Sequence, residues 1–176
     1  MSISDIKQAL PDYAKDIRLN LSSVLKREGA PGLSQEQVYG VALASAFSAD
    51  NVEFARQVEA LIRDEVEEVT VNAAKAAASI MAMNNVYYRF LHLVGDQEYG
   101  RMPANLRMNV IGRPGVEKVD FELYSLAVSA INGCGLCVEN HEKALRKADV
   151  SREAIQSAVR IAAVVKAAAA TLRHAA

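Results

Sequence analysis

Asn132-Gly133-Cys134-Gly135-Leu136-Cys137-Val138-Glu139-Asn140-His141 contains both cysteines of this 176-residue chain and one of its three histidines. The Asn-Gly pair is a turn or helix-start signal. Read as the opening of a helix, the stretch places Cys134, Cys137 and His141 at i, i+3 and i+7. At about 3.6 residues per turn these share one face. Two thiols at this spacing can close a small disulfide. A thiol in a first helical turn also faces unpaired N–H groups and the positive end of the helix dipole, which favours its thiolate.

Outward from this stretch the chain reads as all-helical. Ala, Leu, Glu, Lys and Val dominate, and no segment alternates like a strand between hairpin turns. On the N-terminal side, Asp120 is a suitable N-cap for a helix through Ile131. On the C-terminal side the Cys134 helix runs to about Lys147, and Ser151 caps an Ala- and Val-rich helix to about Leu172. Residues 95–119, with Gly95, Gly100, Pro103, Gly112, Pro114 and Gly115, are the least regular, with one short turn expected over 106–111. Before them a long helix spans about Val69–Leu91. Asp50 to Glu53 and Ser34 to Gln37 have capping-box form and open two more helices. The first of these carries Val52, Ala55, Val58, Leu61 and Ile62; the second carries Val38, Val41, Ala42 and Ala46. Pro11 fits the first turn of a helix to about Arg27, with Tyr13, Ile17, Leu21, Val24 and Leu25 on its apolar side; Gly29 and Pro31-Gly32 stop it. An ungapped offset of 84 residues pairs Ser45-Ala46 with Ser129-Ala130 and Ala74 with Ala158. It divides one domain, 1–176, into related halves at about 34–94 and 118–176, of which only the second carries the cysteines.

Composition narrows the functional classes. Hydrophobic residues make up 51% and charged residues 23%, as in folded globular proteins. A net charge of −1 leaves no basic footprint for nucleic acid. No apolar run reads as a membrane span, and MSISDIKQALPDY does not read as a secretory signal, so the expected compartment is the cytoplasm. There a C-x-x-C pair points to catalysis or metal before a structural staple.

Three readings of the cysteines stay open at this point: buried thiols that merely pack, a zinc site, and a redox dithiol. Cys134, Cys137 and His141 supply three zinc ligands where a structural site takes four, and only His92 and His174 remain as further histidines. Glu122, within the apolar run Phe121 to Ala127, can fold back on His141 and support proton transfer; it can equally be an acidic residue in a helical first turn. Met81, Met83, Tyr87, Tyr88 and Phe90 form an apolar stretch around Asn84-Asn85, whose role is undecided. Glu139 and Asn140 are expected to face solvent, and Arg101, Arg107 and Arg113 surround the irregular segment.

Glu122, eleven residues, Cys134-x-x-Cys137, three residues, His141 resembles the signature of the alkyl hydroperoxidase D (AhpD) family, within the carboxymuconolactone decarboxylase-like superfamily. The segments LPDYAKDIRLNLSSVL, MAMNNVYYRF and LRMNVIGRPGVEKVDFELYSLAVSAINGC extend the resemblance over nearly the whole chain. It implies an all-α subunit of two related halves, assembled as a homotrimer. It implies an antioxidant alkyl hydroperoxide reductase that also reduces the peroxiredoxin AhpC. No cofactor or metal is implied as resident. Electrons come from an external dihydrolipoyl group, carried on a lipoylated acyltransferase and recharged by lipoamide dehydrogenase. By position, Cys137 is the peroxidatic residue that becomes a sulfenic acid. Cys134 is proton donor and resolving partner in the disulfide, and His141 with Glu122 behind it relays protons. The family's histidine immediately before the second cysteine is Leu136 here, and leucine cannot move a proton. Two other expectations stand beside this one: a disulfide reductase of the same fold without peroxidase activity, and a non-catalytic helical metal-binding or interaction protein.

Overall fold

A computed structural model describes residues 3–175. Of the domain expected over 1–176, positions 1, 2 and 176 lie outside the described residues. The elements in order are α1 (Ile3–Ala9), α2 (Lys15–Val24), α3 (Gln35–Phe47), α4 (Val52–Ile62), α5 (Glu68–Val94), α6 (Gln97–Arg101), α7 (Asn109–Gly112), α8 (Lys118–Ile131), α9 (Gly135–Lys147) and α10 (Arg152–His174). No strand occurs among the described residues, so the fold is all-α.

Helix α3 is the hub. Val38 and every residue from Gly40 to Ala46 are buried, so this helix is apolar on all sides, as befits one surrounded by others. It packs against α4, α5, α8 and α10, and α8 packs against α5, α9 and α10. Its start is fixed locally: Ser34 Oγ accepts from the Gln37 N–H at 3.1 Å, and the Gln37 side chain accepts from the Ser34 N–H at 3.0 Å.

Gly40 sets the approach of α3 to α8. A Cβ there would stand 2.2 Å from the hydroxyl oxygen of Tyr124, which is itself 1% exposed. Gly40→Ala is therefore expected to destabilise the protein although alanine is the better helix former. The propensity gain of about 1 kcal/mol is outweighed by overpacking, which costs about 1–3 kcal/mol where helices can still shift and more where they cannot. Thermal denaturation checks this; a raised melting temperature would refute it.

Several local expectations are corrected. The chain before Pro11 forms a helix of its own, α1. Pro11 is extended and precedes a 3₁₀ turn, Asp12–Ala14, so α2 begins only at Lys15 and ends at Val24. Tyr13 sits in that turn and is 76% exposed instead of facing the core. Asn51, not Asp50, caps α4: its Oδ1 accepts from the Phe54 N–H at 3.0 Å, while Asp50 is left-handed with φ 56°. Val52, the first residue of α4, points outward and is exposed. Helix α8 begins two residues before Asp120, which accepts at 2.8 Å from Gln37 on α3 and so ties the two helices. Burial pushes the Asp120 carboxyl up; the Gln37 hydrogen bond opposes this, and the charges of Glu36 and Glu117 add to it. The single turn expected over 106–111 forms as α7, shifted to Asn109–Gly112, and a further short helix, α6, precedes it. Finally, α10 does match a membrane span by length and hydropathy, but Ala154, Ile155, Ala158, Ile161, Ala162 and Val165 bury one face of it in the core.

Candidate active site

The turn from α8 to α9 places the cysteines. Gly133 is left-handed with φ 68°, a conformation that glycine adopts without a Cβ penalty. Its N–H donates to the Ala130 carbonyl at 3.2 Å, and the Cys134 N–H donates to the Ser129 carbonyl at 3.1 Å. This pair of bonds closes the C-terminus of α8 in a Schellman arrangement. The same Cys134 is the N-cap of α9: its Sγ accepts from the Cys137 N–H at 3.3 Å. Cys134 thus stands one residue outside the helix rather than in its first turn, and Cys137 occupies the first turn. One residue ends α8 and begins α9, so the sulfur position is fixed from both sides.

A buried polar network holds this turn from α5. Asn85 donates to Ser129 Oγ at 2.8 Å, and Asn132 donates to Asn85 Oδ1 at 2.9 Å. Arg89 donates to the Asn132 carbonyl at 2.7 Å, and Ser48 donates to Asn132 Oδ1 at 3.4 Å. Asn85 is 1% exposed. Its place in the middle of a helix, unexplained by propensity, is explained by this network.

Cys134 and Cys137 are joined as a disulfide with Cα atoms 5.3 Å apart. Cys134 is fully buried, and Cys137 is 5% exposed. From the second turn of α9, His141 Nδ1 lies 2.7 Å from Glu122 Oε2 on α8, with both side chains largely buried. An ionised carboxylate only accepts, so it directs the Nδ1 proton toward itself and leaves Nε2 as the nitrogen free to exchange one. All four residues expected from the sequence come together here, across the α8–α9 hairpin. His92 is exposed on α5 and His174 closes α10, so neither joins the cluster. Among the described residues no group of three His, Cys, Asp or Glu side chains is arranged to hold a metal ion.

Cys137 and His141 open into a cavity of about 220 Å³. Its other walls are Met81, Asn84 and Tyr88 from α5, Met108 and Ile111 around α7, and Asn140. The irregular segment 95–119 thus contributes a wall of the site, which its composition alone did not signal. Leu136 is half-buried and does not line this cavity. Glu139, between Cys137 and His141 in the sequence, is exposed and bonded to Lys143 at 2.6 Å; that bond and charge, with a smaller contribution from His92, hold its carboxyl below the usual range.

Comparison with known proteins gives consistent results. A profile of the carboxymuconolactone decarboxylase family matches residues 97–176. An alkyl hydroperoxide reductase AhpD of Brucella canis is 54% identical over 175 residues, covering 99% of this chain and 98% of that protein. Proteins of the same name from Rhizorhabdus wittichii and Coxiella burnetii are 54% identical over 169 residues and 57% identical over 159 residues. They cover 96% and 90% of the chain and the same shares of their own lengths.

Proposed function

This chain belongs to the AhpD family of the carboxymuconolactone decarboxylase-like superfamily, and from that membership we propose that it is a thiol peroxidase that reduces alkyl hydroperoxides through a Cys134–Cys137 dithiol/disulfide cycle. The observation that carries this reading is the conjunction of the disulfide with a carboxylate-held imidazole at the mouth of a largely apolar cavity.

In the reduced protein His141 holds the proton of Cys137, whose thiolate attacks the terminal oxygen of the peroxide. The S–O bond forms, the O–O bond breaks, and the alkoxide leaves. His141 gives it the proton taken from Cys137, which makes the alcohol, and then takes up the proton of the Cys134 thiol. The Cys134 thiolate then attacks the Cys137 sulfenic sulfur. Hydroxide departs and takes the remaining proton from His141 as water, which closes the disulfide before further oxidation. Reduction runs by thiol–disulfide exchange. An incoming thiolate reaches Cys137 from the cavity, and Cys134 leaves with its sulfur still accepting the Cys137 N–H. The proposed reductant is a dihydrolipoyl group on an acyltransferase, recharged by lipoamide dehydrogenase, and the proposed protein client is AhpC. The compartment proposed is the cytoplasm. Leu136 supplies no proton relay, so the cycle draws on His141 and Glu122 alone.

Glu122→Gln keeps the shape of the pair but removes its charge. The expected result is a fall in peroxide reactivity of about 10²-fold, the scale of one general acid–base contribution, with an unchanged circular-dichroism spectrum. A wild-type rate would make Glu122 an ordinary first-turn carboxylate.

The function itself is tested by peroxide-dependent NADH oxidation with lipoamide dehydrogenase and lipoamide. Turnover supports the lipoyl-linked peroxidase. Absent turnover with a reducible disulfide would favour the disulfide reductase instead.

We also propose a homotrimer. Its support within the chain is the set of exposed apolar side chains Val86, Phe90, Leu93 and Val94 on α5, Tyr99 on α6 and Met102 just after it. An origin of the two halves by duplication is supported by the starts of α5 and α10, Glu68 and Arg152, which stand 84 positions apart, and by the ends of α3 and α8, Phe47 and Ile131, which do the same.

A further inference from the structure

The cavity beside Cys137 contains a buried polar group that the protein itself does not use. Asn84 lines it and is 5% exposed, and its Oδ1 has no hydrogen-bond partner. Its neighbour Asn85 is the contrast, bonded to both Ser129 and Asn132. An unpaired buried acceptor costs about 1–3 kcal/mol, and native proteins keep few of them. Of the other polar walls, Asn140 is exposed and His141 is held through Nδ1 by Glu122. Met81, Met108 and Ile111 are apolar, and the Tyr88 hydroxyl makes a weak contact with Met108 Sδ at 4.0 Å.

We propose that the Asn84 carboxamide is the binding group for the terminal O–H of an organic hydroperoxide, whose carbon chain lies on Met81, Met108 and Ile111. The inference rests on the thiol-peroxidase reading above and adds to it the element that recognises substrate. A hydroperoxide has a single donor, on its terminal oxygen, and that is the oxygen the thiolate must attack for an alkoxide to leave. Oδ1 itself is closed off from the surface, and a half-turn about χ2 exchanges the amide's donor and acceptor, presenting Oδ1 to the cavity without backbone movement and leaving Nδ2 in the buried place. Accepting the terminal O–H there puts that oxygen nearest Cys137 and points the O–O bond away from the sulfur, the alignment displacement requires. As the S–O bond forms and the O–O bond breaks, the same O–H becomes that of the Cys137 sulfenic acid and keeps Asn84 as its acceptor. The alkoxide departs along the apolar wall.

Asn84→Leu tests this, because leucine has nearly the same shape and no polar atom. Two quantities are expected to move in opposite senses. The thermal midpoint rises, since an unpaired acceptor has gone. The second-order rate of the reduced protein with cumene hydroperoxide, followed by stopped flow, falls about tenfold, the scale of one lost hydrogen bond. The rate with methyl methanethiosulfonate, which has no O–H or N–H to donate, stays at the wild-type value. Asn84→Ala, which leaves more room, is expected to lose the same factor toward the peroxide. An unchanged peroxide rate in both variants overturns the proposal. An equal loss toward both reagents also overturns it, because Asn84 would then act on the thiolate and not on the peroxide. If the wild type reacts with methyl methanethiosulfonate but not with cumene hydroperoxide, the thiol-peroxidase reading fails and this inference fails with it.

Discussion

Cys137→Ser is expected to abolish peroxide reduction, with a loss on the order of a thousandfold or more, as when the nucleophile of a covalent mechanism is removed. Serine's hydroxyl cannot become a nucleophilic anion near neutral pH, and it has no sulfenic state. The substitution is small, and Cys137 lies in the first turn of α9 with its N–H donated to Cys134. The bond to that N–H does not depend on the Cys137 side chain in the reduced protein, so the fold is expected to persist. The lipoamide-coupled assay should fall to the rate without enzyme, and the circular-dichroism spectrum should match the wild type. Turnover in this variant would sink the assignment of Cys137 and move suspicion to Cys134.

Cys134→Ser is expected to behave differently: one oxidation, then arrest. The variant still has the Cys137 thiolate and the Glu122–His141 pair, so it can form the sulfenic acid. It has no thiol to condense with it. Intact-mass measurement after one peroxide pulse should record the gain of one oxygen, and further pulses should add a second and a third as the sulfur climbs the oxidation ladder. Serine is a favoured N-cap, so it keeps the cap that Cys134 supplies to α9. The loss is therefore chemical and not structural. A Cys134→Ser protein that cycles normally would rule out the resolving role. Cys134→Ala, which also loses the cap, should in addition melt lower by the roughly 0.5–2 kcal/mol a cap contributes.

Much of this arrangement was legible in the sequence because it is local. Ser34 to Gln37, Ser151 and the Ala-rich helices signal their ends and faces within a few residues, and the observed elements follow them. Glu122, Cys134, Cys137 and His141 lie within 20 positions on two adjacent helices and the turn between them, so spacing alone could bring them together. What was not legible depends on contacts far apart in the chain. Asp50 and Asn51 offer equally good caps, and the choice of Asn51 goes with its Nδ2 donating to the Ala169 carbonyl at 2.9 Å, 118 positions away. Asn85 looks out of place in a helix until the α8–α9 turn is packed against it, and Asn84 acquires meaning only beside the cavity. Met108 and Ile111 come from a segment whose glycines and prolines announce irregularity but not its position over a sulfur atom.

Because Cys134 ends one helix and starts the next, its sulfur is held within reach of Cys137 without any segment having to unwind. In the proposed cycle, the race between self-capture and a second peroxide is thus one between a first-order clock, fixed by geometry, and a bimolecular encounter that quickens with oxidant. A tethered partner at short range acts at an effective concentration far above any the solution supplies. The protein should therefore survive oxidant bursts that destroy peroxidases whose resolving thiol must travel, and its vulnerability should lie in the supply of reductant.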